Sequence, residues 1–154
     1  MNIVLIQFGK TKDRWLQEGI DEYLKRLGPY HTIRTIELPD HPGLKSQNSE
    51  VVKAREADAA LKHIGEDDYL VLLDEAGQLK SSLEFSHFLT NLSDKRRVVF
   101  LIGGVFGTHE RLKTRANQIL SLSPLTFTHR MARLILIEQI YRATMIAHHR
   151  SYHI

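Results

Sequence analysis

Three short stretches of this chain are apolar almost without interruption: Asn2–Phe8 (NIVLIQF), Tyr69–Leu73 (YLVLL) and Val98–Ile102 (VVFLI). A strand with one wet face alternates apolar and polar residues. Runs that are apolar throughout must be covered on both faces, as strands are inside a parallel sheet flanked by helices. The intervening segments suit that role. Asp13–Leu27 sets Trp15, Leu16, Ile20, Tyr23, Leu24 and Leu27 at helical spacing, and Gly28-Pro29 stops it. Thr32–Leu38 alternates and is β-branched, so it reads as a second strand. Pro39–Asn48 reads as a polar loop, Ser49–Ile64 as an amphipathic helix ended by Gly65, and Asp74-Glu75-Ala76-Gly77 as a turn. Ser81-x-x-Glu84 is a capping box opening a helix to about Leu92. Thr108–Ile119 and Met131–Ala147 read as the last two helices, with a short strand or loop over Leu120–Phe127 between them. Alternating strands and helices predict an α/β/α domain with a parallel sheet. With no repeat and no linker, one domain spans residues 1–154.

Several function classes are excluded or disfavoured. At 154 residues, 42% hydrophobic and 25% charged, the chain has the composition of an ordinary globular domain and not of a disordered one. No apolar run approaches the ~18 residues of a membrane span. The start, MNIVLIQFGK, lacks a basic lead and a small-residue cleavage site, so it is expected to be a strand and not a signal peptide. Without cysteine there is no disulfide, thiolate metal site or cysteine nucleophile. A cytoplasmic location is expected.

The charge is unevenly distributed. Residues 1–94 hold 11 Lys/Arg against 16 Asp/Glu, whereas residues 95–154 hold 10 Lys/Arg against two acids, Glu110 and Glu138. Five of the nine histidines also lie in the second segment. A basic segment of this kind suits a polyanionic partner. The plain alternative is that folding mixes the two segments in space.

In sheets of this class, ligands bind beyond the C-terminal ends of the strands, and three motifs fall there. Gly103-Gly104-x-x-Gly107 follows a β-branched strand; its glycines let a ligand approach the backbone. It is neither the dinucleotide fingerprint nor a phosphate loop with its lysine. Leu73-Asp74-x-x-Gly77 is the corresponding turn one strand earlier. Its adjacent carboxylates suit a ligand-binding or structural turn better than a metal site, since no third ligand matches them. Leu120-Ser-Leu-Ser-Pro-Leu-Thr-Phe127 could offer backbone donors and acceptors to a flat heteroaromatic ring, with Leu122, Leu125 and Phe127 as an apolar slot. Read alone, it is an edge strand of the core.

The last helix is apolar around most of its circumference, which suggests burial on several sides and hence a dimer interface, or else a central position in the monomer. Glu138 and Arg142 stand in the favourable i,i+4 order. The tail, His148-His149-Arg150-Ser151-Tyr152-His153-Ile154, suits phosphate contacts and base stacking better than metal binding, although His149 and His153 are four apart. No serine-hydrolase elbow is present.

Taken in order, Leu73-Asp74-x-x-Gly77, Ile102-Gly103-Gly104-x-x-Gly107, Leu120-Ser-Leu-Ser-x-Leu-Thr-Phe-x-His129, Arg133, Ile137-Glu-Gln-Ile-Tyr-Arg-Ala143 and Tyr152-His153 resemble the ribosomal large-subunit methyltransferase H family. These are small RNA methyltransferases of the SPOUT class, and the resemblance covers almost the whole chain. It implies a parallel-sheet α/β fold with a C-terminal trefoil knot and a homodimer whose donor pocket lies in the knot near the interface. It implies S-adenosylmethionine as methyl donor, no metal, and methylation of N3 of a pseudouridine in 23S rRNA on the assembled ribosome; neither DNA nor a membrane is an implied partner. Carried over by position, Leu73, Gly77, Gly103, Gly104, Gly107, Leu122, Ser123, Pro124, Leu125, Thr126 and Phe127 would form the donor pocket. Arg133, Glu138 and Tyr152 would serve the RNA substrate, with Glu138 orienting Arg142. Arg142, His129 and His153 would be catalytic; either histidine could take the N3 proton while Arg142 stabilises charge on the flanking carbonyl oxygens. The chain departs from the family pattern at Val105-Phe106, Thr108 and Ile154. Rival readings are another RNA target for the same class, or a non-catalytic ribosome-associated RNA-binding protein.

Overall fold

The computed structural model describes residues 1–40 and 48–154. Most of the expected loop Pro39–Asn48 therefore lies outside the described residues. The elements run β1 (Asn2–Phe8), α1 (Arg14–Leu27), β2 (Thr32–Leu38), α2 (Ser49–Leu61), β3 (Tyr69–Leu79), α3 (Ser82–Thr90), β4 (Val98–Ile102), α4 (Glu110–Arg115), β5 (Gln118–Ser121) and α5 (His129–Ala147). The strands form one sheet in the order β2-β1-β4-β3-β5. Every pairing in it is parallel, as the apolar runs require.

Alternation along each strand divides the core in two. Ile3, Leu5, Val71, Leu73, Val98, Phe100 and Ile102 face α1, α3 and α5, where they meet Leu16, Phe85, Leu136, Ile137 and Ile140. Val4, Ile6, Leu70, Leu72, Val99 and Leu101 face the other way, toward Ala57 and Ala60 of α2 and Leu112 of α4. Side-chain caps fix several helix starts: Asn48 Oδ1 accepts from the Glu50 N–H, Ser81 Oγ from Glu84, and Thr128 Oγ1 from Met131. The capping box over Ser81 and Glu84 therefore supplies its backbone half.

The structure corrects the local reading in four places. The strand expected to end at Leu73 continues to Leu79. Residues between Leu73 and Gln78 bulge out, and β3 then pairs with β5 again in a shifted register. Inside the bulge the Ala76 N–H donates to Asp74 Oδ1 at 2.8 Å. Second, the helix expected over Thr108–Ile119 is cut to Glu110–Arg115. Asn117 breaks it by bonding to Leu70 twice, its N–H to the Leu70 carbonyl at 2.9 Å and its Oδ1 to the Leu70 N–H at 2.8 Å. That pair draws the chain into β5 beside β3. Third, α2 ends at Leu61 and not Ile64. Fourth, Trp15 does not join the core; it is 61% exposed, while its neighbour Leu16 is buried.

Folding also mixes the two charge segments in part. Arg97 pairs with Asp68, and Arg111 pairs with Asp58 at 2.7 Å. Arg115 donates to the carbonyls of Gly65 and Asp68, each at 2.8 Å. Much of the basic excess thus binds this chain's own acceptors.

Candidate active site

The bulge in β3 and the segments following β4 and β5 converge with the first turn of α5 and the start of α1 on one cavity of about 830 Å³. That volume suits a ligand the size of a nucleoside derivative. Its walls include Leu73, Gly103, Gly104, Gly107, Leu122, Ser123, Leu125, Thr126, Phe127 and His129. Sequence reasoning thus assembled most of this wall from three separate motifs. Two of its members stand elsewhere. Gly77 lies against β5, where a Cβ would be 2.7–2.8 Å from backbone atoms of Ile119 and Leu120. Its role is the close approach of two strands. Pro124 is exposed and lies outside the wall.

The glycine loop is held by local geometry. The Gly107 N–H donates to the Gly104 carbonyl at 3.1 Å, and Gly107 takes a φ of 86°, which favours glycine. In the third loop, Ser121 Oγ donates to the Ser123 carbonyl at 3.0 Å, and the Leu125 N–H donates to Ser123 Oγ at 2.9 Å. These hydroxyls shape their own loop. The cavity wall also carries the carboxylates Asp13, Asp74 and Glu75, with His129 and Arg130 at the start of α5.

His129 is half-buried. Burial pulls its pKa below the usual histidine value, the nearby Arg133 and Arg130 add to that, and Asp40 opposes it. At neutral pH the ring is therefore neutral and able to take a proton. Arg130 lies beside it with a buried Nε that has no partner among the described residues. Arg133, expected to contact RNA, is only 3% exposed. Its guanidinium donates to the Phe8 carbonyl at 2.6 Å and to Thr11 Oγ1 at 2.7 Å. These bonds tie the first turns of α5 to the end of β1 and leave no open face toward a nucleic acid.

A second cluster lies at the other end of α5, away from the cavity. Arg142 donates to Glu138 Oε1 at 2.7 Å and lies 3.1 Å from His153 Nδ1. Tyr152 OH donates to the same Glu138 oxygen at 2.9 Å, and the Arg142 guanidinium sits 4.8 Å above the Tyr152 ring. Arginine only donates, so His153 Nδ1 accepts and the neutral ring carries its proton on Nε2. The tail returns to the helix through a Schellman turn: the Arg150 N–H bonds the Met145 carbonyl, the His149 N–H bonds Ile146, and His149 takes a left-handed φ of 54°. His149 and His153 therefore do not share a helical face.

Sequence reasoning missed two residues here. Trp15 lines the cavity, but its spacing had suggested a core position. Glu56, on α2, is 5% exposed and presses against the glycine loop; its Oε1 lies 2.8 Å from where a Cβ on Gly104 would stand. Burial, reinforced by Asp40, pushes its carboxyl up to about 7. Within a helix of mixed charge, one more glutamate carries no signal of such a place.

A family profile described as Predicted SPOUT methyltransferase matches residues 1–153. The chain belongs to the SPOUT methyltransferase family. It is similar to proteins named ribosomal RNA large subunit methyltransferase H. That of Dictyoglomus thermophilum is 40% identical over 155 residues, covering 99% of each chain. Those of Alkaliphilus oremlandii and Clostridium botulinum are 40% and 39% identical over 158 and 160 residues, again with 99% of each chain covered. Among the described residues no helix is long and apolar enough to cross a membrane.

Proposed function

We propose that this chain transfers a methyl group from S-adenosylmethionine to N3 of a pseudouridine in large-subunit ribosomal RNA, acting on the assembled ribosome in the cytoplasm. The observation that carries the reading is the convergence of the β3 bulge, the segments after β4 and β5, and His129 on one cavity of about 830 Å³. Its size, glycine-lined backbone and apolar walls fit the donor, which would be held by Leu73, Gly103, Leu122, Ser123, Leu125 and Phe127. The bound donor supplies a methyl on a sulfonium, whose sulfur leaves as a neutral thioether. N3 attacks that carbon in line as it gives up its proton. His129 takes the proton, because it lies on the cavity wall and is neutral at pH 7. His153 is less suited to do so, since Arg142 holds its Nδ1 as an acceptor. Arg142 stabilises the negative charge that grows on the flanking carbonyl oxygens.

One chain does not bring these groups together. Arg142 lies ten residues beyond the cavity-lining Ala132 on one helix, about 15 Å along its axis. A second copy with its α5 packed antiparallel would carry its own Arg142 and tail to this cavity. Exposed apolar side chains near the cavity, Trp15, Val105, Phe106 and Leu125, support such a homodimer. The trefoil knot belongs to the same proposal. The deciding experiment is labelled methyl transfer to ribosomes from a strain lacking the activity. Free subunits and ribosomes without the pseudouridine should stay unlabelled. Labelling of transfer RNA instead would overturn the substrate, and failure to bind S-adenosylmethionine would overturn the enzyme.

A further inference from the structure

The cluster around Arg142 is held in place by a residue far away in sequence. Tyr23 OH, on α1, lies 3.1 Å from Tyr152 OH. Each hydroxyl has one proton. That of Tyr152 is committed to Glu138 Oε1, so Tyr23 donates and Tyr152 accepts. The bonds then converge on Glu138: Tyr23 donates to Tyr152, Tyr152 donates to Glu138 Oε1, and Arg142 donates to the same oxygen. Glu138 is fixed on its other oxygen too, where Gln139 Nε2 donates at 2.7 Å, and Gln139 in turn accepts from Ser82 of α3 at 2.8 Å. The aromatic rings support the same arrangement. Tyr141 meets Tyr152 edge-on at 4.7 Å and Tyr23 at 5.7 Å, while Arg26 lies 5.3 Å over the Tyr23 ring.

Two donors therefore meet at one glutamate oxygen, and the tail's hold on it depends on an α1 hydroxyl. We propose that Tyr23 is a positioning residue for methyl transfer, fixing the Tyr152 hydroxyl and through it the Glu138–Arg142 pair. The inference rests on the reading of Arg142 as catalytic. Tyr23 touches no reacting group. Its hydroxyl selects one position of the tail, in which Arg142 faces outward between Glu138 and His153.

Tyr23→Phe keeps the ring packing and removes only the bond to Tyr152. Its kcat on ribosomes should fall about three- to tenfold, the worth of one such hydrogen bond, while KM for S-adenosylmethionine stays at the parent value. In a Tyr152→Phe background, Tyr23→Phe should cost nothing further, because the relay is already cut. Nitrogen NMR of His153 should show the Nε2-protonated tautomer of the parent giving way to a mixture. Parent-level kcat in Tyr23→Phe, or an undiminished effect in the Tyr152→Phe background, would overturn the inference while leaving the catalytic reading intact. An active Arg142→Ala would overturn that reading and the inference with it.

Discussion

The Glu56 carboxylate and the Gly104 α-carbon occupy adjoining space, so closely that a methyl group on Gly104 would lie 2.8 Å from Glu56 Oε1. A buried acid from α2 thus supports the glycine loop on the cavity wall. Gly104→Ala should force the two apart at a cost of about 1–3 kcal/mol, with a matching loss of donor affinity. Calorimetric titration with S-adenosylmethionine checks this. Glu56→Ala added to Gly104→Ala should restore part of the affinity; a strictly additive pair would sink the explanation.

The acidity of Glu56 makes stability depend on pH. Its native pKa is about 7 through burial and then Asp40, against about 4.3 for a free glutamate. Between those values the native state binds more protons than the unfolded chain, so stability falls as pH rises through the window. Glu56→Gln removes that loss. The variant should match the parent at pH 4 and exceed it by about 1–3 kcal/mol at pH 8 in urea unfolding. An offset that does not change between the two pH values would contradict the assignment.

The separation of Arg142 from the cavity along α5 predicts complementation between dead variants. Arg142→Ala should lose methylation and keep donor binding. Gly103→Val should lose donor binding, since even a Cβ there would sit 2.8 Å from Thr108 Oγ1. Mixed and allowed to exchange subunits, the two should recover about a quarter of parent activity, because half the dimers then carry one intact composite site. Continued inactivity of an exchanged mixture would mean that each cavity uses its own chain's Arg142.

Trp15 is the only tryptophan and sits on the cavity wall. Its emission should change saturably with S-adenosylmethionine, with the midpoint found by calorimetry. A flat response from protein that binds the donor would place the ligand elsewhere.

The strands β1 and β4 run over the residues their patterns indicate, because a run apolar on both faces has one stable setting, and β2 does so through its β-branched alternation. What escaped the sequence was set by contacts distant along the chain. Asn117 ends α4 through Leu70, a partner 47 residues away, so helical spacing over Thr108–Ile119 gave no warning. The β3 bulge depends on pairing with β5, which no local pattern encodes. For the site, the glycine and Leu-Ser motifs were legible because loop chemistry is local. Arg133 was not, since a guanidinium facing the Phe8 carbonyl and one facing solvent have the same sequence signature.

Leu136, Ile137 and Ile140 of α5 are fully buried against the sheet, and the turn that begins this helix also lines the cavity. Until the last quarter of the chain is in place, the sheet is uncovered where α5 packs and the cavity lacks one wall. A donor bound in that cavity would therefore act as a ligand that secures the finished fold.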